Sequence, residues 1–166
     1  MVSLVVFGLM LTAGNAALLF KKPVYLSSFT PIISQTGYGA RTVNMPVNAS
    51  GSYKTWTPLS VQYAFYFKGV GTHAKSYLLY DLNRKFPRFT TDYGIDTEAG
   101  GNASAIFRIY GDDKLLFESE KIGRYDYPRH AEVDVAGVKM LGLVTEDGGD
   151  GITDDHTDWL NSQLWP

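Results

Sequence analysis

Between Val24 and Asp155 no stretch of the chain sustains the 3.6-residue apolar period of a helix. Short strand-like segments follow one another instead, separated by Gly, Asp and Asn. In Val61–Phe67, Val61, Tyr63, Phe65 and Phe67 alternate with Gln62, Ala64 and Tyr66, a period of two. Tyr77–Leu82, Phe89–Asp96, Ala105–Ile109, Leu115–Ser119, Ala131–Val135 and Val138–Val144 complete a series of seven strands. Eleven Tyr, nine Phe and seventeen Gly in 166 residues fit that reading, because aromatic side chains suit half-buried pleated surfaces and Gly supplies turns. The expected fold is all-β, a two-sheet antiparallel β-sandwich of jelly-roll type. Only His156–Trp165 is read as briefly helical.

Composition excludes several function classes. Fifteen Lys plus Arg against seventeen Asp plus Glu leave a net charge of −2, without the clustered positive charge that phosphate backbones require, so no nucleic-acid partner is expected. With no Cys there are no disulfides, thiolate zinc sites or cysteine nucleophiles.

Met1–Phe20 carries no charged side chain. Val2–Leu11 has the length of a signal-peptide core, and Ala13, Gly14 and Ala16 match a secretory cleavage site, giving residues 1–16 as a signal and 24–166 as the mature domain. A membrane anchor interrupted by Gly14-Asn15 and an ordinary buried first strand remain alternative readings. After cleavage no membrane insertion is expected. Sequons at Asn48 and Asn102 are compatible with a secretory route. Asn44–Pro58 reads as a long loop or irregular edge.

If consecutive strands are antiparallel, connections alternate between two ends. The short ones (Asn83–Arg88, Gly111–Lys114, Ala136-Gly137) then share one end. Lys68–Ser76, Thr97–Ala103, Glu120–His130 and Thr145–Asp158 share the other, together with all three His. Long loops on a rigid sandwich are where binding sites usually sit.

Lys68–Ala74 (KGVGTHA) presents His73 at a tight turn but has no helix behind it to cradle a phosphate. Glu146–Trp159 holds six carboxylates within thirteen residues, an oxygen-rich, Gly-bent loop that suits a hard cation such as Ca²⁺. A solvated acidic loop, its Asp residues making turns, accounts for it equally. Asp150 and Asp154 have the chemistry of a glycosidase acid–base pair; a serine triad has no support, since no nucleophile-elbow sequence is present. Tyr38, Tyr125, Tyr127 and Trp159 admit a saccharide reading, in which a ring stacks on the apolar face of a pyranose while Asp, Asn, His and Arg bond its hydroxyls. Core packing is the alternative for each ring, and for Trp159 the favoured one.

Several blocks occur in an order that resembles a known family. Tyr25–Pro31 (YLSSFTP), Gly37-Tyr38-Gly39, the KGVGTHA segment, Tyr80-Asp81-Leu82 and Gly94-Ile95-Asp96 come first. Phe107–Asp112 (FRIYGD), Val133–Val138 (VDVAGV) and Asp147–Gly151 (DGGDG) with Asp154–Trp159 (DDHTDW) follow. Together, over about Val24–Leu164, they resemble the NPCBM module, carbohydrate-binding module family 51. The resemblance implies a β-sandwich that binds galactose or galactose-containing glycans without transforming them, sometimes with bound Ca²⁺, and usually appended to a glycoside hydrolase. The chain is too short to hold a catalytic domain as well, so the expectation is a secreted lectin with a glycoside hydrolase or matrix protein as partner. Asp155 also adds an acid beside the motif His156. The saccharide site is expected at Tyr38, His73, Tyr125, Asp150, Asp154 and His156, and a structural Ca²⁺ at Asp147, Asp150 and Asp158. A sandwich without sugar affinity and a small glycoside hydrolase are the rival readings.

Overall fold

A computed structural model describes residues 22–47 and 57–166; the signal-like segment 1–16 and the sequon at Asn48 lie outside them. Two six-stranded sheets face each other. The first runs β12 (Arg129–Asp134), β8 (Arg88–Ile95), β14 (His156–Trp165), β6 (Gly69–His73) and β3 (Thr42–Val43), with β1 (Val24–Tyr25) also paired to β14. The second runs β10 (Lys114–Glu118), β9 (Ser104–Gly111), β13 (Met140–Asp147), β7 (Ser76–Asp81) and β2 (Ile33–Gln35), with β11 (Ile122–Gly123) beside β9. A separate hairpin joins β4 (Leu59–Val61) to β5 (Ala64–Tyr66). Every pairing is antiparallel. The fold is the all-β sandwich expected, and among the described residues no helix is long and apolar enough to cross a membrane.

The two inner faces meet in one core. Phe89, Tyr93, Ile95, Val133, Trp159 and Leu164 come from the first sheet, and Leu78, Tyr80, Phe107, Ile109, Leu141 and Leu143 from the second. Trp159 is fully buried and meets Phe107 edge-on, ring centroids 5.2 Å apart. It is therefore core and not a platform, and such a pair adds about 0.5–1.5 kcal/mol beyond the area it buries.

Two local expectations are corrected. Val61–Phe67 is not one strand: the chain reverses at Gln62-Tyr63, Gln62 at φ +52°, so that Val61 pairs with Ala64. The reversal uses no Gly, Pro, Asn or Asp, and is held from outside, Gln62 Nε2 donating to the Arg124 carbonyl at 2.9 Å. His156–Trp165 is not helical but the central strand of its sheet. Its pattern hides the pleat for two reasons. A register shift between Leu160 and Gln163 breaks the alternation. Both faces are also covered, Trp159 by the core and Leu160 by Leu59 and Val61 of the hairpin. Gly94 makes room for that hairpin, since a Cβ there would meet Val61 at 2.7 Å.

Connections do sort into two ends. The long ones, 96–103, 119–128 and 148–155, gather with the β6–β7 turn at one pole. Their contacts tie the pole together: Ala74 N–H donates to the Asp155 carbonyl, Gly148 N–H to that of Ser104, and Arg124 Nε to that of Ala99.

Candidate functional site

His73 ends β6 and His156 begins β14, and the two are direct cross-strand partners. Their ring centroids lie 5.1 Å apart. Tyr38 closes on His73 edge-on at 5.7 Å and keeps more than half its surface open. Its loop is pinned by Gly37, whose N–H donates to the His73 carbonyl and which sits so close to Ala74 and Lys75 that no side chain fits. Beneath them lies a buried set of hydroxyls, one pair in each sheet, linked across the sandwich by Thr157 Oγ1 and Thr145 Oγ1 at 3.5 Å. Thr72 meets Thr157 at 2.8 Å and Ser76 meets Thr145 at 2.6 Å, so the pole rests on a satisfied polar floor.

The two imidazoles differ. His73 is 3% exposed, and its Nδ1 lies 2.6 Å from the Ala74 carbonyl. A carbonyl only accepts, so Nδ1 carries the hydrogen and Nε2 is left as an acceptor. Burial lowers the pKa of His73 from its ordinary value, which keeps it neutral. His156 Nδ1 instead meets Glu98 Oε1 at 2.7 Å. That carboxylate raises the His156 pKa despite burial. Asp154 acts on both rings, its charge raising each.

Asp154 also borders a second recess. A cavity of about 460 Å³ is lined by Gly101, Asn102, Asp150, Gly151, Thr153 and Asp154. Tyr125, 74% exposed, stands beside it, its hydroxyl 3.1 Å from where a Cβ on Gly101 would lie. The six expected saccharide contacts thus share one pole in two adjoining patches: Tyr38, His73, Asp154 and His156 in one, Asp150, Asp154 and Tyr125 in the other. Tyr127 is also exposed. His130 does not join them. It pairs with Asp92 at 2.7 Å along the first sheet, because β12 starts before the residue and carries it down the strand.

Asp147, Asp150 and Asp158 are not brought together. Asp147 faces Lys75 at 3.7 Å. Asp150 accepts from Lys121 Nζ at 2.9 Å and from Ser104 Oγ, contacts that lower its pKa. Asp158 is sealed under the hairpin with no exposure. Among the described residues no three His, Cys, Asp or Glu side chains converge as a metal ion would need, so this trio does not fit a shared Ca²⁺.

Three acids at the pole stand outside the expected site residues. Glu98 holds His156. Asp155 is buried, gives one oxygen to the Ser104 N–H and leaves Oδ2 without a partner, and burial pushes its pKa up to about 6. Asp96 accepts the amides of Ser60 and Glu98 and faces Asp158. Burial, then the Asp96 charge, hold Asp158 well above the carboxylate range, so it keeps its proton and bonds Asp96 with it. The signal for Glu98 was position: it lies in a loop already assigned to the binding end.

Residues 22–165 match the model of the NPCBM/NEW2 domain. The CBM51 from Clostridium perfringens GH95, solved in complex with methyl-galactose, superposes with a TM-score of 0.76 at 32% identity, covering 86% of this chain and 99% of that one. Tandem CBM51 modules of a family 98 glycoside hydrolase from Streptococcus pneumoniae superpose with a TM-score of 0.78 at 21% identity, over 86% of this chain and 47% of theirs. An alpha-1,3-galactosidase B of Akkermansia muciniphila is 32% identical over 107 residues, 62% of this chain and 13% of that protein. A putative endo-alpha-N-acetylgalactosaminidase of Renibacterium salmoninarum is 27% identical over 64% of this chain and 7% of its own length. The chain thus spans a small part of the curated relatives it matches.

Proposed function

The chain belongs to the NPCBM/NEW2 domain family, and from that premise we propose that it is a secreted, non-catalytic module that grips galactose or a galactose-containing glycan at the loop pole. One observation carries the reading: the apposed His73 and His156 rings under the exposed Tyr38. His73 offers a neutral acceptor edge to a hydroxyl. His156, oriented by Glu98, offers its second ring nitrogen, Asp154 offers a carboxylate, and Tyr38 offers an aromatic surface. Such groups, fixed by the pleat and the pinned 36–39 loop, lose little freedom on binding. The galactose complex of the Clostridium perfringens relative supports the choice of sugar. The relatives named as glycosidases support a glycoside hydrolase as the companion of this module.

We read the acids as sugar contacts and not as a hydrolytic pair. Asp150 is bound by Lys121 and Ser104, and its lowered pKa opposes a general-acid role. Calorimetric titration with methyl galactoside, with and without Ca²⁺, tests the reading. Saturable binding and no turnover of a chromogenic galactoside are expected. No binding to any galactoside in either buffer overturns it.

A further inference from the structure

The outer face of the second sheet carries a groove of about 490 Å³ that the pole does not use. Its floor is Gly142, directly opposite Tyr110 on β9 and diagonal to Tyr77 on β7. A Cβ on Gly142 would touch Tyr110 Cβ and Tyr77 Cε2, each at 3.4 Å, so the two tyrosines crowd the bare backbone from either side. Both are half-buried, as are Met140 and Val144 along the same face. From Met140 to Glu146 the strand runs roughly 20 Å at about 3.4 Å per residue.

We propose that this groove is an extended subsite for a neutral oligosaccharide whose terminal sugar occupies the loop pole, a proposal that rests on the saccharide reading of that pole. Three features select this occupant. First, the groove is continuous with the pole. It opens between Gln35 and Lys75–Tyr77, and these lie on the two segments that carry Tyr38 and His73, joined by the Gly37 to His73 hydrogen bond. Second, its cations are matched by acids. Lys75 faces Glu146 and Asp147 at 3.7 Å, and Arg108 next to the groove is taken by Glu118 and Glu146, leaving no free cation among the described lining residues for a sialylated or sulfated chain. Third, an apolar middle between polar ends suits a chain of pyranoses. Ring faces lie on tyrosine and hydroxyls reach Gln35, Ser76 and Asp113.

Titration of the full chain with methyl galactoside and with a neutral galactose-terminated tetrasaccharide, read by calorimetry and by backbone amide shifts, tests this. The tetrasaccharide is expected to bind at least about tenfold more tightly, because a ligand spanning two subsites gains effective concentration. It should move the Gly142 and Leu79 amides, which methyl galactoside leaves in place. Tyr77→Ala and the groove-filling Gly142→Leu should each abolish that advantage with the methyl galactoside affinity unchanged. Equal affinity for both sugars, or tetrasaccharide shifts confined to the pole, overturns the groove while leaving the pole reading intact. Shifts at Gly142 with none at the pole for either sugar overturn the pole reading and leave the groove as an independent site. Self-association that Gly142→Leu abolishes would make the face an interface between copies, and overturn the proposal.

Discussion

The two ends of the sandwich are built from the same residue types and use them oppositely. At the end of short turns three aspartates are consumed by backbone. Asp81 accepts the Asn83 amide, Asp134 the Ala136 amide, and Asp112 the amides of Lys139 and Met140. These bonds pull the Asp112 pKa down. At the loop end Asp96 faces Asp158, Glu98 holds an imidazole and Asp154 borders the open recess, while burial drives Asp155 and Asp158 upward. A carboxylate with its valences filled by amides fixes a turn and has nothing left to offer a ligand. Polar capacity held in place but unfilled is what a binding surface consists of.

The largest expected effect separates the ends by affinity. His156→Ala should weaken galactoside binding about ten- to hundredfold, since it removes a hydroxyl partner and leaves Glu98 buried without its donor. Asp112→Ala should leave calorimetric affinity unchanged. If both variants bind like the parent, the functional contrast between the ends fails.

Stability should separate them next, through pH. An aspartate whose folded pKa is raised stabilises the fold fully below its unfolded value, and loses that contribution as pH rises through the folded value. For Asp155 the window runs from about 4 to about 6; for Asp158 it opens at the same point and extends higher. Melting temperature should therefore fall on the alkaline side. Asp158→Asn, which keeps a donor for Asp96 without needing a proton, should flatten that fall and melt higher than the parent at pH 8. A parent and variant with parallel profiles would remove the shared proton from under the hairpin. Asp112→Ala should act in the other direction. Its lowered pKa contributes stability above its unfolded value, so the variant should melt a few degrees lower at neutral pH and converge with the parent as pH falls.

What could be read in advance follows the physics of each end. Strands β7, β9 and β12 alternate cleanly because one face meets core and the other solvent or a shallow groove. Parity of antiparallel connections then placed the loops, and with them His73, Asp154 and His156, at one pole. β14 was illegible because it is covered on both faces and bulged at Asn161, and the hairpin because its reversal at Gln62 depends on Arg124, sixty-two residues away. Glu98, and the role of Asp155, escaped for a related reason. A carboxylate that orients a histidine or sits under a loop is defined by its neighbours in space, and the Asp-rich stretch offered too many equivalent carboxylates to tell them apart. The Ca²⁺ expectation read that stretch as a cluster, whereas the fold sends Asp147 to Lys75, Asp150 to Lys121 and Asp158 beneath the hairpin.

The smallest expected effect lies within the pole, between its two histidines. His73, lowered by burial, stays neutral until the pH is below the ordinary histidine value, whereas His156, raised by Glu98, is charged first. Acid therefore adds a second positive charge 5.1 Å from one already present and converts the His73 acceptor edge into a donor. Galactoside affinity should hold from pH 8 to about 6.5 and then fall by at most about tenfold toward pH 5, since a hydroxyl can still accept where it formerly donated. His73→Gln, which cannot titrate but retains an acceptor, should bind with a flat profile. A flat profile in the parent, or a fall in the variant as steep as the parent's, would move the proton-sensitive contact from His73 to the His156–Glu98 pair, whose charge the bound sugar would then have to feel directly.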